Sequence, residues 1–193
     1  MGAWRKLGPG DYGTSAWSGG STTQLVIAPA GASYADRDFL WRVSSATVER
    51  EESDFTPLPD YDRLIATLRG EIALTHNGGA PLRLRPFEVH AFSGADSTHS
   101  LGRCTDFNLM LRHGAAEGSM EALRLDGEER WLPPEPGAET LLYCAAGGCA
   151  VSDGAERETL AAGETLLVSK SGPLTLTRLD GEARLMLCRM RRL

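Results

Sequence analysis

The sequence predicts an all-β protein built from two tandem, similar barrels. Three observations carry this expectation. Short runs rich in β-branched, leucine and aromatic residues recur between turn residues, and the 193 residues include 22 Gly and 10 Pro. No stretch shows a long apolar period of 3.6 residues, the mark of an amphipathic helix. A figure of strand, glycine turn and strand occurs twice, at residues 64–74 around Gly70 and at 141–151 around Gly147, and an offset of 77 residues carries one onto the other.

Taken in order, residues 1–21 are Gly-rich and polar. Gly8-Pro9-Gly10-Asp11-Tyr12-Gly13 matches GxGxxG literally, but the strand and helix that a dinucleotide fingerprint needs on either side are missing. Residues 22–28 form the first expected strand, closed by Pro29 and Gly31, and 39–49 the second. The acid-rich run from Glu49 to Asp54 reads as a solvated edge. After a Pro-rich corner at 55–59, a strand starts near Tyr61 and enters the first repeat. The gap-free offset then pairs the turn at Pro86 with that at Gly163, and strand 106–112 with 183–189. Residues 115–125 could hold one or two turns of helix, and 133–137 make an extended linker. The expected domains are 1–115, N-terminal strands plus a first barrel, and 116–193, a second barrel. Each unit looks like a cupin, so the expected fold is a bicupin: two jelly-roll type β-barrels packed together.

Composition narrows the function. With 20 basic and 26 acidic residues the net charge is −6, which argues against nucleic acid or an anionic membrane as partner. No apolar run approaches the roughly 20 residues of a membrane span, and no signal-peptide core opens the chain, so a soluble cytoplasmic protein is expected. Cys144 and Cys149 could face each other across Gly147-Gly148, but four scattered cysteines read as buried free thiols. A cupin metal site needs an HxH pair, a Glu and a third His; this chain has only His76, His90, His99 and His113, in no such spacing. Neither a metal nor another cofactor is expected. No GxSxG elbow is present, and Cys104 reads as a structural thiol.

Two arginines stand out. Arg42 lies between Trp41 and Val43, and Arg63 adjoins a hydrophobic run, so both enter a core where a guanidinium needs an anionic partner. In strand 106–112 the period of two puts Asp106, Asn108, Met110 and Arg112 on one side and Phe107, Leu109 and Leu111 on the other. If the apolar side is buried, the polar side lines a cavity suited to a small carboxylate. Arg42 and Arg63 are the expected anchors, Asn108 a directional hydrogen-bonding group and Asp106 the support of one arginine, with Arg112 and Thr56 as further candidates. The plainer alternative is a solvent-facing sheet, with arginines held in internal salt bridges.

Residues 22–25, 42–49, 51–59 and 106–112 together resemble the HutD/Ves family, with matching motifs from about Trp17 to Arg112. That resemblance implies a bicupin fold, an association with histidine-utilisation genes, and binding of a small acidic intermediate of histidine breakdown that limits flux. Two departures are visible. Trp17-Ser18-Gly19-Gly20-Ser21-Thr22-Thr23-Gln24 lacks the Lys and Asn of many members and has Gln24 in place of an acid; an amide cannot serve there as a carboxylate base. His113 follows Arg112 where many members have a second Arg. The expectation is a metal-free cupin that binds a carboxylate-containing metabolite in a regulatory or sensing role, with a homodimer allowed. The alternative is a cupin hydrolase or isomerase acting on a small acidic or sugar-like substrate, with Asp106 or His90 as base.

Overall fold

The structure, a computed structural model, describes residues 4–127, 129–169 and 172–193. The first strands are β1 (Trp4–Leu7), β2 (Gly13–Trp17), β3 (Gly20–Ala28), β4 (Trp41–Val48), β5 (Glu52–Asp54) and β6 (Tyr61–Arg69). There follow β7 (Ile72–His76), β8 (Leu82–Leu84), β9 (Val89–Ser93), β10 (Thr98–Leu101), β11 (Cys104–Arg112), β12 (Ala116–Leu125) and β13 (Glu129–Leu132). The chain closes with β14 (Glu139–Ala146), β15 (Gly148–Ser152), β16 (Arg157–Ala161), β17 (Thr165–Val168), β18 (Leu174–Arg178) and β19 (Ala183–Arg192). The protein is all-β. Between β1 and β2, the literal GxGxxG stretch is a single 3-10 turn, Pro9–Asp11, with no helix after it.

The chain divides into two compact units, one of residues 12–117 and the other of the chain up to Asp11 together with residues 118–192. The N-terminal unit has a six-stranded sheet, β2-β3-β4-β11-β6-β9, facing a four-stranded one, β5-β10-β7-β8. The C-terminal unit has β1-β17-β14-β19-β12 and β13-β18-β15-β16. Each unit is thus an antiparallel sandwich of the jelly-roll kind, whose sheets keep free edges and do not close into a barrel. The division falls at 117/118, where 115/116 was expected, and the first strand belongs to the C-terminal unit. Its backbone completes the edge of β17, with Trp4 opposite Val168 and Leu7 opposite Thr165, and Trp4 packs on the C-terminal core.

Residues 115–125 are not helical. They form β12, whose Ala116, Met120, Leu123 and Leu125 are buried along the edge beside β19; tertiary pairing overrides a weak local preference. The repeat is real at the hairpins, with Gly70 at φ 74° and Gly147 at φ 72°. A Cβ on either would meet a backbone carbonyl, that of Arg103 or that of Glu182, so both turns require glycine for space as well as for φ. The gap-free alignment fails further on. Asp106 lies opposite Thr67 and Leu185 opposite Cys144, each beside a register shift, so Asp106 corresponds to Leu185 and not to Ala183. Two residues are gained before the closing strand, and because two is the strand period the facing is unchanged. All four cysteines are free and buried.

Candidate functional site

The site lies inside the N-terminal unit, where β4, β11 and β6 run side by side. Register sets Arg42, Met110 and Arg63 in one cross-strand row, Ser44, Asn108 and Ile65 in the next, and Ala46, Asp106 and Thr67 in a third. The residues between them on β11, Phe107, Leu109 and Leu111, are buried apolar side chains on the opposite face. On the near face is a cavity of about 300 Å³, lined by polar groups of β4, β6 and β11 and by Trp17, Tyr34, Val48, Asp54, Phe55, Thr56 and Met110. Its apolar walls belong to two clusters. Val48 and Phe55 come from one around Ile65 and Leu74, Met110 and Tyr34 from one around Phe39 and Tyr61.

Arg42 and Arg63 are 6% and 7% exposed, and Asp106 is 5% exposed. Among the described residues neither arginine has a carboxylate within 4.0 Å. Arg42 donates instead to neutral acceptors, from Nε to Gln24 Oε1 at 2.8 Å and from Nη1 to Ser44 Oγ at 3.0 Å. Among the described residues Arg63 reaches only the Thr56 carbonyl, at 3.5 Å, and its Nε has no partner. Aromatic faces cover both guanidiniums: Tyr34 lies 4.6 Å from Arg42 Cζ, and Phe55 and Phe92 lie 4.9 and 5.1 Å from Arg63 Cζ. Burial lowers the pKa of both, that of Arg63 to about 10, so each stays charged at neutral pH.

Asp106 does not hold an arginine, contrary to the sequence expectation. Its Oδ1 accepts from the Ala46 amide at 3.0 Å and from Asn108 Nδ2 at 2.7 Å. Burial raises its pKa to about 6, against the opposing pull of those bonds and of the two arginines. Asn108 is thereby fixed with Oδ1 unpartnered, and Thr67 Oγ1 is unpartnered too.

Five of the six expected residues, Arg42, Arg63, Asp106, Asn108 and Thr56, line the cavity. Arg112 does not. Its guanidinium leaves the row to bond the carbonyls of Phe39 and Arg37 and the Tyr61 hydroxyl, so it ties the 37–39 segment to the sheet. Ser44, Tyr34 and Phe55 are additions. Ser44 follows from the alternation that starts at Arg42, whereas Tyr34 sits in a loop where no period could reveal it. His90 stands outside the cavity lining, bonded through Nε2 to His76 Nε2 at 2.9 Å. Among the described residues no three His, Cys, Asp or Glu side chains gather as metal ligands.

The two-unit jelly-roll architecture with a site inside one sandwich defines a cupin-type protein. Bacterial pirin YhhW from Escherichia coli, solved with nickel(II), superposes with TM-score 0.69 at 10% identity over 96% of this chain and 98% of its own. The chain belongs to the HutD family, whose model matches residues 10–187. A conserved protein of unknown function from Pseudomonas aeruginosa PAO1 is similar, with TM-score 0.84 and 27% identity over 97% of this chain and 98% of that one. HutD from Pseudomonas fluorescens SBW25, in a formate condition, gives 0.78 and 22% over 98% and 99%. No curated protein matches at a significant level.

Proposed function

We propose that the N-terminal unit binds a small carboxylate-bearing metabolite between Arg42 and Arg63, in a sensing or regulatory role tied to histidine degradation. One observation carries the reading: two buried guanidiniums line a cavity and, among the described residues, have no anion within salt-bridge distance. Burying such charge without a counter-ion is costly, so the arrangement favours an anion from outside. Membership of HutD supports the link to histidine degradation that the family resemblance implies, and the formate condition of the Pseudomonas fluorescens structure makes formate a natural first probe.

Thermal unfolding against formate, urocanate, formylglutamate, formiminoglutamate and glutamate, with sugars as controls, tests this. A ligand at a hundred times its Kd adds about 2.7 kcal/mol, or roughly 5–10 °C for a chain of this size. Arg63→Met should abolish the shift and leave the free protein as stable or more so, because it replaces an unpaired buried charge by an apolar side chain of similar length. Equal shifts in parent and variant would overturn the reading. A second reading has its own support. Asp106 Oδ2 has no protein partner among the described residues, and a carboxyl that titrates near neutrality suits a general base. Turnover of any of these acids that disappears in Asp106→Asn would establish it.

A further inference from the structure

The cavity carries a definite charge balance. Arg42 and Arg63 bring two positive charges in one row, and Asp106 brings one negative charge two rows away on the same buried face. Among the described residues no other Lys or Arg lines the cavity; Arg37, whose Cζ lies 4.0 Å from the Tyr34 ring, stands outside the lining. Asp54, whose side chain is 86% exposed, adds a second carboxylate to the lining, paired outward with His99 Nδ1 at 2.9 Å. The remaining neighbours of Asp106 are neutral: Ala46 and Ser44 on β4, Thr67 on β6, Asn108 on its own strand, and the Cys104 thiol, which burial and Asp106 itself keep protonated. One negative charge from a ligand therefore brings the interior to neutrality, and a second overshoots it. The rest of the lining is aromatic and aliphatic, from Val48, Phe55 and Met110.

We propose that Asp106 is a specificity residue that restricts the site to monocarboxylates with an uncharged remainder and rejects dianions. This rests on the carboxylate-binding reading above. The physical basis is Coulombic. A second carboxylate would lie in a poorly solvated space beside Asp106 with no third cation among the lining residues to receive it, and such repulsion at an effective dielectric near 20 exceeds a tenfold effect on affinity. Removing the Asp106 charge makes room for that second carboxylate.

Butyrate and succinate, which share a four-carbon chain and differ by one carboxylate, are the probes, measured by calorimetry at pH 8 on the whole chain. Parent protein should bind butyrate at least about tenfold more tightly than succinate, and Asp106→Asn should bring the two to parity or invert them. The asparagine keeps an Oδ1 to accept from Ala46 and Asn108. Should the variant not fold, the parent still decides: at pH 7, succinate binding should take up more protons than butyrate binding, read from two buffers of different ionisation enthalpy. Succinate binding as tightly as butyrate without the greater proton uptake, or a ratio unchanged in Asp106→Asn, overturns the proposal. If butyrate, succinate and every acid of the panel fail to bind, the carboxylate reading itself falls first.

Discussion

An aspartate buried in reach of two arginines yet bonded to neither is a cost that the fold carries for its site. Folded Asp106 holds its proton up to about pH 6, whereas its ordinary value is 3.8. Between those values the folded chain binds more protons than the unfolded one, so stability falls as pH rises through the window and stays lower above it. Two pH units correspond to a cost on the order of 3 kcal/mol. Asp106→Asn should therefore be more stable than the parent at pH 8 in the absence of ligand, with the difference shrinking toward pH 4; urea unfolding at both pH values checks it, and a variant less stable at pH 8 contradicts the assignment. The residues concerned were legible in the sequence to different degrees. Alternation in β11 revealed Asp106 and Asn108, and a charge beside an apolar run revealed Arg42 and Arg63. Pairing was not legible. Whether Asp106 meets an arginine or an amide depends on side-chain reach across strands, and Arg112 turned to the carbonyls of Arg37 and Phe39 although its period placed it with the others.

Hairpins show what the sequence does encode at the next scale. The Gly70 turn between β6 and β7 was readable because no other residue fits: positive φ and a carbonyl in the place of a Cβ. Gly70→Ala should cost roughly 2–4 kcal/mol in urea unfolding, from strain and displacement of the Arg103 carbonyl together. By contrast β12 was not readable, since its strand state depends on β19, which lies far along the chain. Another such contact joins β7 of the four-stranded sheet to β9 at the edge of the six-stranded one, through His76 Nε2 and His90 Nε2 at 2.9 Å with ring centroids 5.0 Å apart. One nitrogen must donate and the other accept, so a second proton leaves two donors facing. Burial first and His76 second lower the His90 pKa below 6.5. The unfolded chain then binds more protons below about that pH, and stability is lost on acidification, opposite in sign to Asp106. In an Asp106→Asn background that loss should be visible above the acid range in which Glu164 and Glu182, whose pKa values are lowered, lose their contributions, and His90→Gln should flatten it there; an unchanged pH profile would rule out the His pair as its source.

Across the whole molecule the same topology occurs twice, but the chemistry occurs once. Equivalent positions on the closing strands are Asp106 and Leu185, Asn108 and Leu187; on the strands beside them Thr67 corresponds to Cys144 and Ile65 to Leu142. Where the N-terminal unit places a carboxylate and an amide, the C-terminal unit places leucines that are 0% and 4% exposed and belong to its continuous apolar core. A jelly roll therefore does not itself create the site; a few side chains on two or three inner rows decide whether the sandwich is filled or left open to a ligand. The consequence can be measured at one position. Leu187→Asn puts into the C-terminal core the side chain that Asn108 presents in the other unit, but with apolar Leu185 beside it where Asn108 has Asp106. An amide buried there without partners should cost about 2–4 kcal/mol in unfolding free energy, while the affinity for butyrate stays that of the parent. A loss below about 0.5 kcal/mol would mean that the second interior already tolerates polar groups, and the contrast between the two units would fail with it.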